Sequence, residues 1–258
     1  MAPVWRFALV GDPVEHSLSP LIQNAALEVA GLVGEYRAIR ADYAILDEVI
    51  RDLHEGGLDG ANVTMPLKPA ALERCDRLTA EAQKAGSVNS LRVRDGVLEG
   101  HSTDVVAFDT SYALLGDAPA LLVLGWGGAA KAAVAAWPGD EAHVSARDTA
   151  KLAGAGVPGK IVKQVRWSEG IPGALVVNAT PLGMHGETLP HGVRTGAAAL
   201  IDLPYATAPT PAVIAANDAG IPVLDGIAFL ASQATASFEW WTGVAVDSGY
   251  LESVARNA

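Results

Sequence analysis

The sequence predicts an α/β chain of two domains, and three observations carry that prediction. Short apolar runs alternate with helical patterns, starting with Phe7-Ala8-Leu9-Val10 and the stretch Ala44 to Leu53, and such alternation implies parallel sheets. The alternation is interrupted by Leu91-Arg92-Val93-Arg94, Asp95-Gly96 and Val97-Leu98, a hairpin pattern in which Asp-Gly suits a type I′ turn. It then restarts at Ala120-Leu121-Leu122-Val123-Leu124, which runs into Gly125-Trp126-Gly127-Gly128-Ala129-Ala130. A buried strand, a glycine turn and an Ala-rich helix start together place backbone N–H groups and a helix N-terminus against a phosphate.

Taken in order, Phe7 to Val10 is a buried strand closing at Gly11. Ser19-Pro20 opens a helix to about Ala30, with Ser19 as N-cap and Pro20 in the first helical position. Tyr36 to Ile39 is a second strand, Ala44 to Leu53 an amphipathic helix and Ala61 to Thr64 a third strand. Pro66 prevents continuation and leaves Lys68 in the following loop. After the hairpin, Val105 to Leu115 is a helix. The second series comprises strands at Leu121 to Leu124, His143 to Ser145, Leu175 to Val177 and Leu200 to Asp202, with a helix from Ala129 to Trp137. The Ala/Gly-rich stretch from Lys151 to Lys160 reads as a mobile surface segment. A long helix from Gly226 to about Trp241 and another from Val246 to Val254 are expected to return to the first domain.

A chain of 258 residues, half of them hydrophobic, can build a substantial core. Its formal charge of −11 argues against a nucleic-acid partner, which needs a basic face. The single cysteine, Cys75, excludes an internal disulfide and a cysteine-built zinc site and fits a reducing compartment. None of the six histidines has a metal-ligand spacing. The first ten residues lack a basic region followed by a signal-length apolar core, and no apolar run reaches membrane-spanning length. A soluble, cytoplasmic protein without metal is the expectation, and monomer and homodimer are equally compatible.

The glycine loop alone suits a tight turn as well as a phosphate cradle; the flanking strand and helix favour the cradle. Asp148 stands 21 positions after Gly127, beside Arg147, near where such folds choose between a ribose hydroxyl and a 2′-phosphate. In the first half, Ser17 and Ser19, Lys68, Asn89 and Asp104 all lie near element ends. Singly each is cap, turn or surface chemistry. Their value lies in combination, because ligands in open parallel sheets bind beyond the carboxyl ends of the strands.

These segments, in this order, resemble the shikimate dehydrogenase family. The resemblance covers nearly the whole chain: Ser-x-Ser-Pro at Ser17 to Pro20, Asn-Val-Thr-x-Pro-x-Lys at Asn62 to Lys68, Gly-x-Val-Asn at Gly86 to Asn89, and Thr103-Asp104. It continues through the glycine loop, Asn178-Ala179-Thr180-Pro181-Leu182-Gly183-Met184, Asp202-x-x-Tyr205 and Gly226 to Gln233. The resemblance implies an N-terminal α/β substrate domain, residues 1–103 plus 227–258, and a Rossmann-type dinucleotide-binding domain, residues 104–226. It implies reversible reduction of 3-dehydroshikimate to shikimate with a nicotinamide cofactor, in aromatic amino-acid biosynthesis.

Carried over residue by residue, Lys68 and Asp104 would be catalytic, which suits a ketone oxygen that gains charge as hydride arrives. Ser17, Ser19 and Tyr205 would hold the substrate carboxylate, and Thr64, Asn89 and Gln233 would surround the ring hydroxyls. Gly125, Gly127, Gly128 and Ala129 would approach the cofactor pyrophosphate, Asn178 and Thr180 would lie beside the cofactor, and Gly226 would sit near the nicotinamide. Arg147 favours NADP, with Lys151 as a helper, whereas Asp148 could accept bonds from an NAD ribose. NADP is the expectation and NAD the alternative, with an NAD-dependent quinate/shikimate dehydrogenase as the alternative function. A non-catalytic ligand sensor is disfavoured because both members of the catalytic pair are present. Trp126, Gln23, Ser102 and Phe229 depart from the family pattern and bear on substrate and cofactor preference rather than on reaction type.

Overall fold

The computed structural model describes residues 3–258 except 153, 155 and 207, and omits the side chain of Lys151. The proposed help from Lys151, and part of the Ala/Gly-rich segment around it, therefore lie outside the described residues. In chain order the strands are β1 (Trp5–Gly11), β2 (Gly34–Arg40), β3 (Gly60–Val63), β4 (Arg77–Leu78), β5 (Ser90–Arg94), β6 (Val97–His101), β7 (Leu121–Leu124), β8 (Glu141–Ser145), β9 (Ile161–Gln164), β10 (Ala174–Asn178), β11 (Ala197–Asp202) and β12 (Val223–Asp225). The α-helices are α1 (Ser19–Val29), α2 (Tyr43–Glu55), α3 (Lys68–Arg74), α4 (Ala80–Ala85), α5 (Thr103–Leu115), α6 (Gly128–Ala136), α7 (His191–Gly196), α8 (Pro211–Asp218), α9 (Gly226–Thr242) and α10 (Ser248–Arg256). The chain divides into two compact units, one running up to Val106 and resuming at Leu230–Ala258, the other spanning Ala107–Phe229.

The first unit is built on a sheet in the order β2-β1-β3-β5-β6-β4. β1 pairs in parallel with β2 and β3, but β3 pairs antiparallel with β5, and β5 with β6, so this sheet is mixed rather than purely parallel. The cause is the Asp95-Gly96 hairpin, whose two residues sit at φ 53° and 76°, the positive φ pair that a type I′ turn requires. Both faces of β1 are covered. Ala8 and Val10 pack with Leu46, Val49 and Leu53, the buried stripe of α2, each burial of that kind contributing about 1.5–3 kcal/mol. Phe7 points the other way and stacks on Trp241 of α9 at 4.7 Å between centroids. α2 starts where the Asp42 carboxylate accepts from the Ala44 and Ile45 amides and stops at Gly56 in the left-handed region.

Two expectations need correction. Ser19 is the first residue of α1 and not its N-cap; the cap position is Leu18, which offers no side-chain acceptor, and the Ser17 hydroxyl takes the Ser19 amide instead, at 3.2 Å. Lys68 does not lie in a loop but begins α3, with Pro69 in the first turn, where a missing N–H costs nothing.

The second unit is parallel throughout, in the order β12-β11-β10-β7-β8-β9. β7 is buried along its whole length, and the alanines of α6 from Ala132 to Ala136 are all buried. Small side chains let that helix lie close to other elements. α6 begins one residue earlier than the sequence suggests, at Gly128, with Gly127 as its N-cap. Among the described residues, no helix is long and apolar enough to cross a membrane.

Candidate active site

In the first unit the site residues are placed by the ends of β1, β3 and β6. Gly11 closes β1 against the turn after β3; a Cβ there would stand 2.3 Å from Thr64 Cγ2 and 2.8 Å from the Met65 carbonyl. The Thr64 amide donates to the Val10 carbonyl at 2.9 Å, and Leu67 returns to the Thr64 carbonyl at 2.9 Å. That tight path delivers Lys68 to the start of α3. Its Nζ donates to Asp104 Oδ2 at 2.5 Å, with side chains only 18% and 3% exposed. Asp104 is the second residue of α5, where the positive end of the helix favours a carboxylate.

Asn89 organises the acid. Its Oδ1 accepts from the Thr103 amide at 2.8 Å, so its Nδ2 must face the other way, and it donates to Asp104 Oδ1 at 2.9 Å. The same Nδ2 lies 3.0 Å from Thr103 Oγ1 and 3.4 Å from Gln233 Oε1. The backbone of Asn89 is fixed as well, donating to His101 and accepting from Val63. Both oxygens of Asp104 are therefore held, one by a cation and one by an amide. Lys68, Asp104, Asn89 and Gln233 form one cluster, with half-buried Thr64 four residues before Lys68. Ser17 and Ser19 are half-buried at the start of α1, also in the first unit.

Tyr205 is not grouped with those serines: it belongs to the second unit, half-buried beyond the end of β11. Gly226 opens α9 in the same unit, and a Cβ there would meet the Leu203 and Pro204 carbonyls at 2.3 and 2.7 Å. Gly125 has φ +99°, and its missing Cβ would lie 2.8 Å from the Ala179 carbonyl. Gly127 has open space where a Cβ would be, and α6 carries no side-chain cap. Gly128 and Ala129 follow as the first helical residues, so this helix offers uncapped N–H groups. Arg147 is exposed, its guanidinium carbon 6.0 Å from the centroid of Trp167. Asp148 Oδ1 accepts from the Ala150 amide at 3.1 Å and caps the turn that follows.

Asn178 and Thr180 are engaged with the protein itself. Asn178 is fully buried; its Nδ2 donates to Asp202 Oδ1 at 2.6 Å and to the Leu182 carbonyl at 3.0 Å, while its Oδ1 accepts from the Thr180 hydroxyl at 2.6 Å. The Thr180 hydroxyl in turn accepts from the Leu182 amide. Asp202 sits beside Asn178 in register at the carboxyl end of the sheet, and the Thr210 hydroxyl donates to its other oxygen. Burial pushes the Asp202 carboxyl above its usual range, with Asp225 adding to the rise and the bonds from Thr210 and Asn178 opposing it. This buried knot shapes the loop that runs past Gly125. Sequence reasoning gave Thr103 only as part of the Thr103-Asp104 motif and did not find Thr210 or Trp167, because each acts on a partner distant in the chain or through a hydroxyl typical of a cap.

Comparison with known proteins adds three findings. Residues 9–91 match the family model described as the shikimate dehydrogenase substrate binding domain. The chain is 35% identical to a shikimate dehydrogenase (NADP(+)) of Anaeromyxobacter sp. (strain Fw109-5) over 95% of its own length and 93% of that protein, and 35% identical to one from Geobacter sulfurreducens with the same two coverages. It is also similar to shikimate 5-dehydrogenase from Thermus thermophilus, solved in complex with NADP(H) and shikimate, with 34% identity, a TM-score of 0.87 and coverage of 98% of this chain and 99% of that one. With the motifs, the two α/β units and near-complete coverage all in agreement, the chain belongs to the shikimate dehydrogenase family.

Proposed function

We propose that this protein is an NADP-dependent shikimate dehydrogenase, reversibly reducing 3-dehydroshikimate to shikimate within aromatic amino-acid biosynthesis. The observation that carries the chemistry is the Lys68–Asp104 pair, with Asp104 buried and Lys68 half-buried, held at 2.5 Å and oriented by Asn89. The first unit is the substrate-binding, catalytic domain and the second the dinucleotide-binding domain. The proposed boundaries, residues 1–103 plus 227–258 and residues 104–226, lie within three residues of the two compact units.

The residues present fit the cofactor. A Cβ at Gly125 would close the loop onto the Ala179 carbonyl, Gly127 leaves open space, and the uncapped α6 provides donors for a pyrophosphate. Gly125, Gly127, Gly128 and Ala129 would hold that group, and Arg147 would pair with a 2′-phosphate. Asn178 and Thr180 act by shaping the adjoining loop. A bound nicotinamide supplies the hydride. Lys68 Nζ gives its proton to the ketone oxygen as charge builds there, and takes the hydroxyl proton back in the reverse direction. Asp104 keeps the ammonium aimed. Ser17 and Ser19 bind the substrate carboxylate, a role that the family resemblance alone extends to Tyr205, and Thr64, Asn89 and Gln233 bind the ring hydroxyls, so an analogue lacking a hydroxyl leaves a buried partner unpaired.

Asp148 favours a second reading, an NAD-dependent quinate/shikimate dehydrogenase. Its Ala150 bond engages one carboxylate oxygen and leaves the other for a ribose hydroxyl. The deciding experiment pairs shikimate and quinate with NADP and NAD and follows nicotinamide reduction by absorbance. Turnover mainly with shikimate and NADP supports the first reading, and a preference for NAD supports the second. Ligand binding without turnover in any pairing refutes both.

A further inference from the structure

A chain of hydrogen bonds runs from the far side of the first unit to the catalytic pair. The Tyr36 hydroxyl donates to Asn62 Oδ1 at 2.9 Å, and Asn62 Nδ2 donates to Ser237 Oγ at 2.8 Å and to the Asn89 carbonyl at 3.2 Å. Ser237 Oγ lies 3.3 Å from Thr103 Oγ1, and Thr103 Oγ1 donates to Asn89 Oδ1 at 3.2 Å. Asn89 Nδ2 then donates to Asp104 Oδ1, whose second oxygen meets Lys68. The chain ends on the carboxylate. Tyr36, Asn89, Thr103, Asp104 and Ser237 are each at most 3% exposed and Asn62 is half-buried, which limits competition from water and lets the bonds polarise one another.

Two of the links are amides, which do not relay protons readily; the chain orients rather than conducts. Ser237 is its least replaceable link, because it joins α9 to the start of α5. It lies four residues after Gln233, whose carbonyl it also approaches at 3.1 Å. Building on the shikimate dehydrogenase reading, we propose that Ser237 is a positioning residue for the reduction, acting through Thr103 and Asn89 to hold Asp104, and with it Lys68, in the reactive orientation. The competing account is an ordinary helix serine bonded back to the carbonyl four residues earlier, which would affect stability alone.

The test compares wild type, Ser237→Ala, Ser237→Thr and Lys68→Ala/Ser237→Ala by steady-state kinetics with shikimate and NADP, alongside thermal melting. For Ser237→Ala the expected result is a kcat about tenfold lower with the KM for NADP unchanged, and recovery of most of that loss in Ser237→Thr. In the Lys68→Ala background the same change should cost less than about twofold, since the group being aimed is gone. A shift in Tm with kcat within about twofold of wild type, or losses that multiply in the double variant, would overturn the inference. If Ser237→Ala does not fold, Tyr36→Phe removes only the hydroxyl at the far end. It should still lower kcat by about two- to threefold with the KM for NADP unchanged, and an unchanged kcat there also overturns it. Wild type lacking shikimate turnover removes the functional reading and this inference with it, whereas normal wild-type turnover with an unaffected Ser237→Ala removes only the latter.

Discussion

The Thr103 amide fixes the orientation of Asn89: by donating to Oδ1 at 2.8 Å it obliges Nδ2 to face Asp104. Asn89→Ala should therefore do two kinds of damage. It leaves the Thr103 amide and one oxygen of a buried carboxylate unpartnered, a cost of about 1–3 kcal/mol in denaturant unfolding, and it lowers kcat because Asp104 loses a restraint. Unchanged stability in the variant would contradict the burial on which this rests.

Lys68→Ala is expected to reduce kcat by roughly 10²–10⁴, the range for losing a positioned general acid, with a much smaller change in the KM for shikimate. Steady-state kinetics in both directions would read it. A large rise in KM with normal kcat would instead make Lys68 a binding residue.

Gly125→Ala forces a side chain into a backbone at φ +99° with its Cβ 2.8 Å from the Ala179 carbonyl. The strain costs on the order of 1–3 kcal/mol, measurable as a lower denaturation midpoint, and the displaced loop should raise the KM for NADP more than that for shikimate. Equal effects on both would argue against a pyrophosphate at this loop.

Asp148→Ala removes a carboxylate beside Arg147 and should raise the ratio of kcat/KM for NADP over NAD. The lost cap on the Ala150 amide should cost about 0.5–2 kcal/mol of stability at the same time. An unchanged cofactor ratio would leave Asp148 with the cap alone.

His101 gives the fold a pH dependence. Burial lowers its pKa from 6.5, with Arg92 adding to the fall and Glu81 opposing it. The unfolded chain then binds a proton that the folded one refuses, so this contribution is complete above pH 6.5 and fades as pH falls towards the lowered value. His101→Asn should flatten the decline in Tm between about pH 7.5 and pH 5.5. Glu99 acts at lower pH: burial alone would raise its carboxyl, but hydrogen bonds and charge from Arg92 and Arg77 outweigh that, and its contribution is lost as pH falls below 4.5.

The elements with a local cause were legible in the sequence. Asp95-Gly96 announces its turn because few other residues accept two positive φ values in succession, and Leu121–Leu124 announces a buried strand by being apolar without interruption. Where local signals conflict, reading fails. Helix α3 is seven residues long, and Pro66 and Pro69 near its start look like loop punctuation until Pro69 is seen in a first turn. Ser19 before Pro20 has the composition of a cap, yet Leu18 holds the cap position and the Ser19 amide donates to Ser17 Oγ, two residues upstream. Lys68, Asp104, Asn89 and Gln233 were marked by residue type and by the family resemblance, whereas Ser237 and Trp167 were not. Ser237 in an Ala-rich helix and Trp167 twenty positions beyond Arg147 carry no mark of what they touch, since those contacts exist only after folding.

The first unit is assembled from two separated stretches of chain, and this has a consequence for biosynthesis. Trp241, which stacks on Phe7 and donates to the Leu91 carbonyl, leaves the ribosome only after all of Ala107–Phe229 has been made. During that interval the Phe7 face of β1 lacks Trp241 and Asn62 has no Ser237 to bond. The second unit, continuous in sequence, can complete itself first. The part of the molecule that is translated earliest is thus the part finished last, and its apolar sheet face is what a nascent-chain chaperone would find exposed.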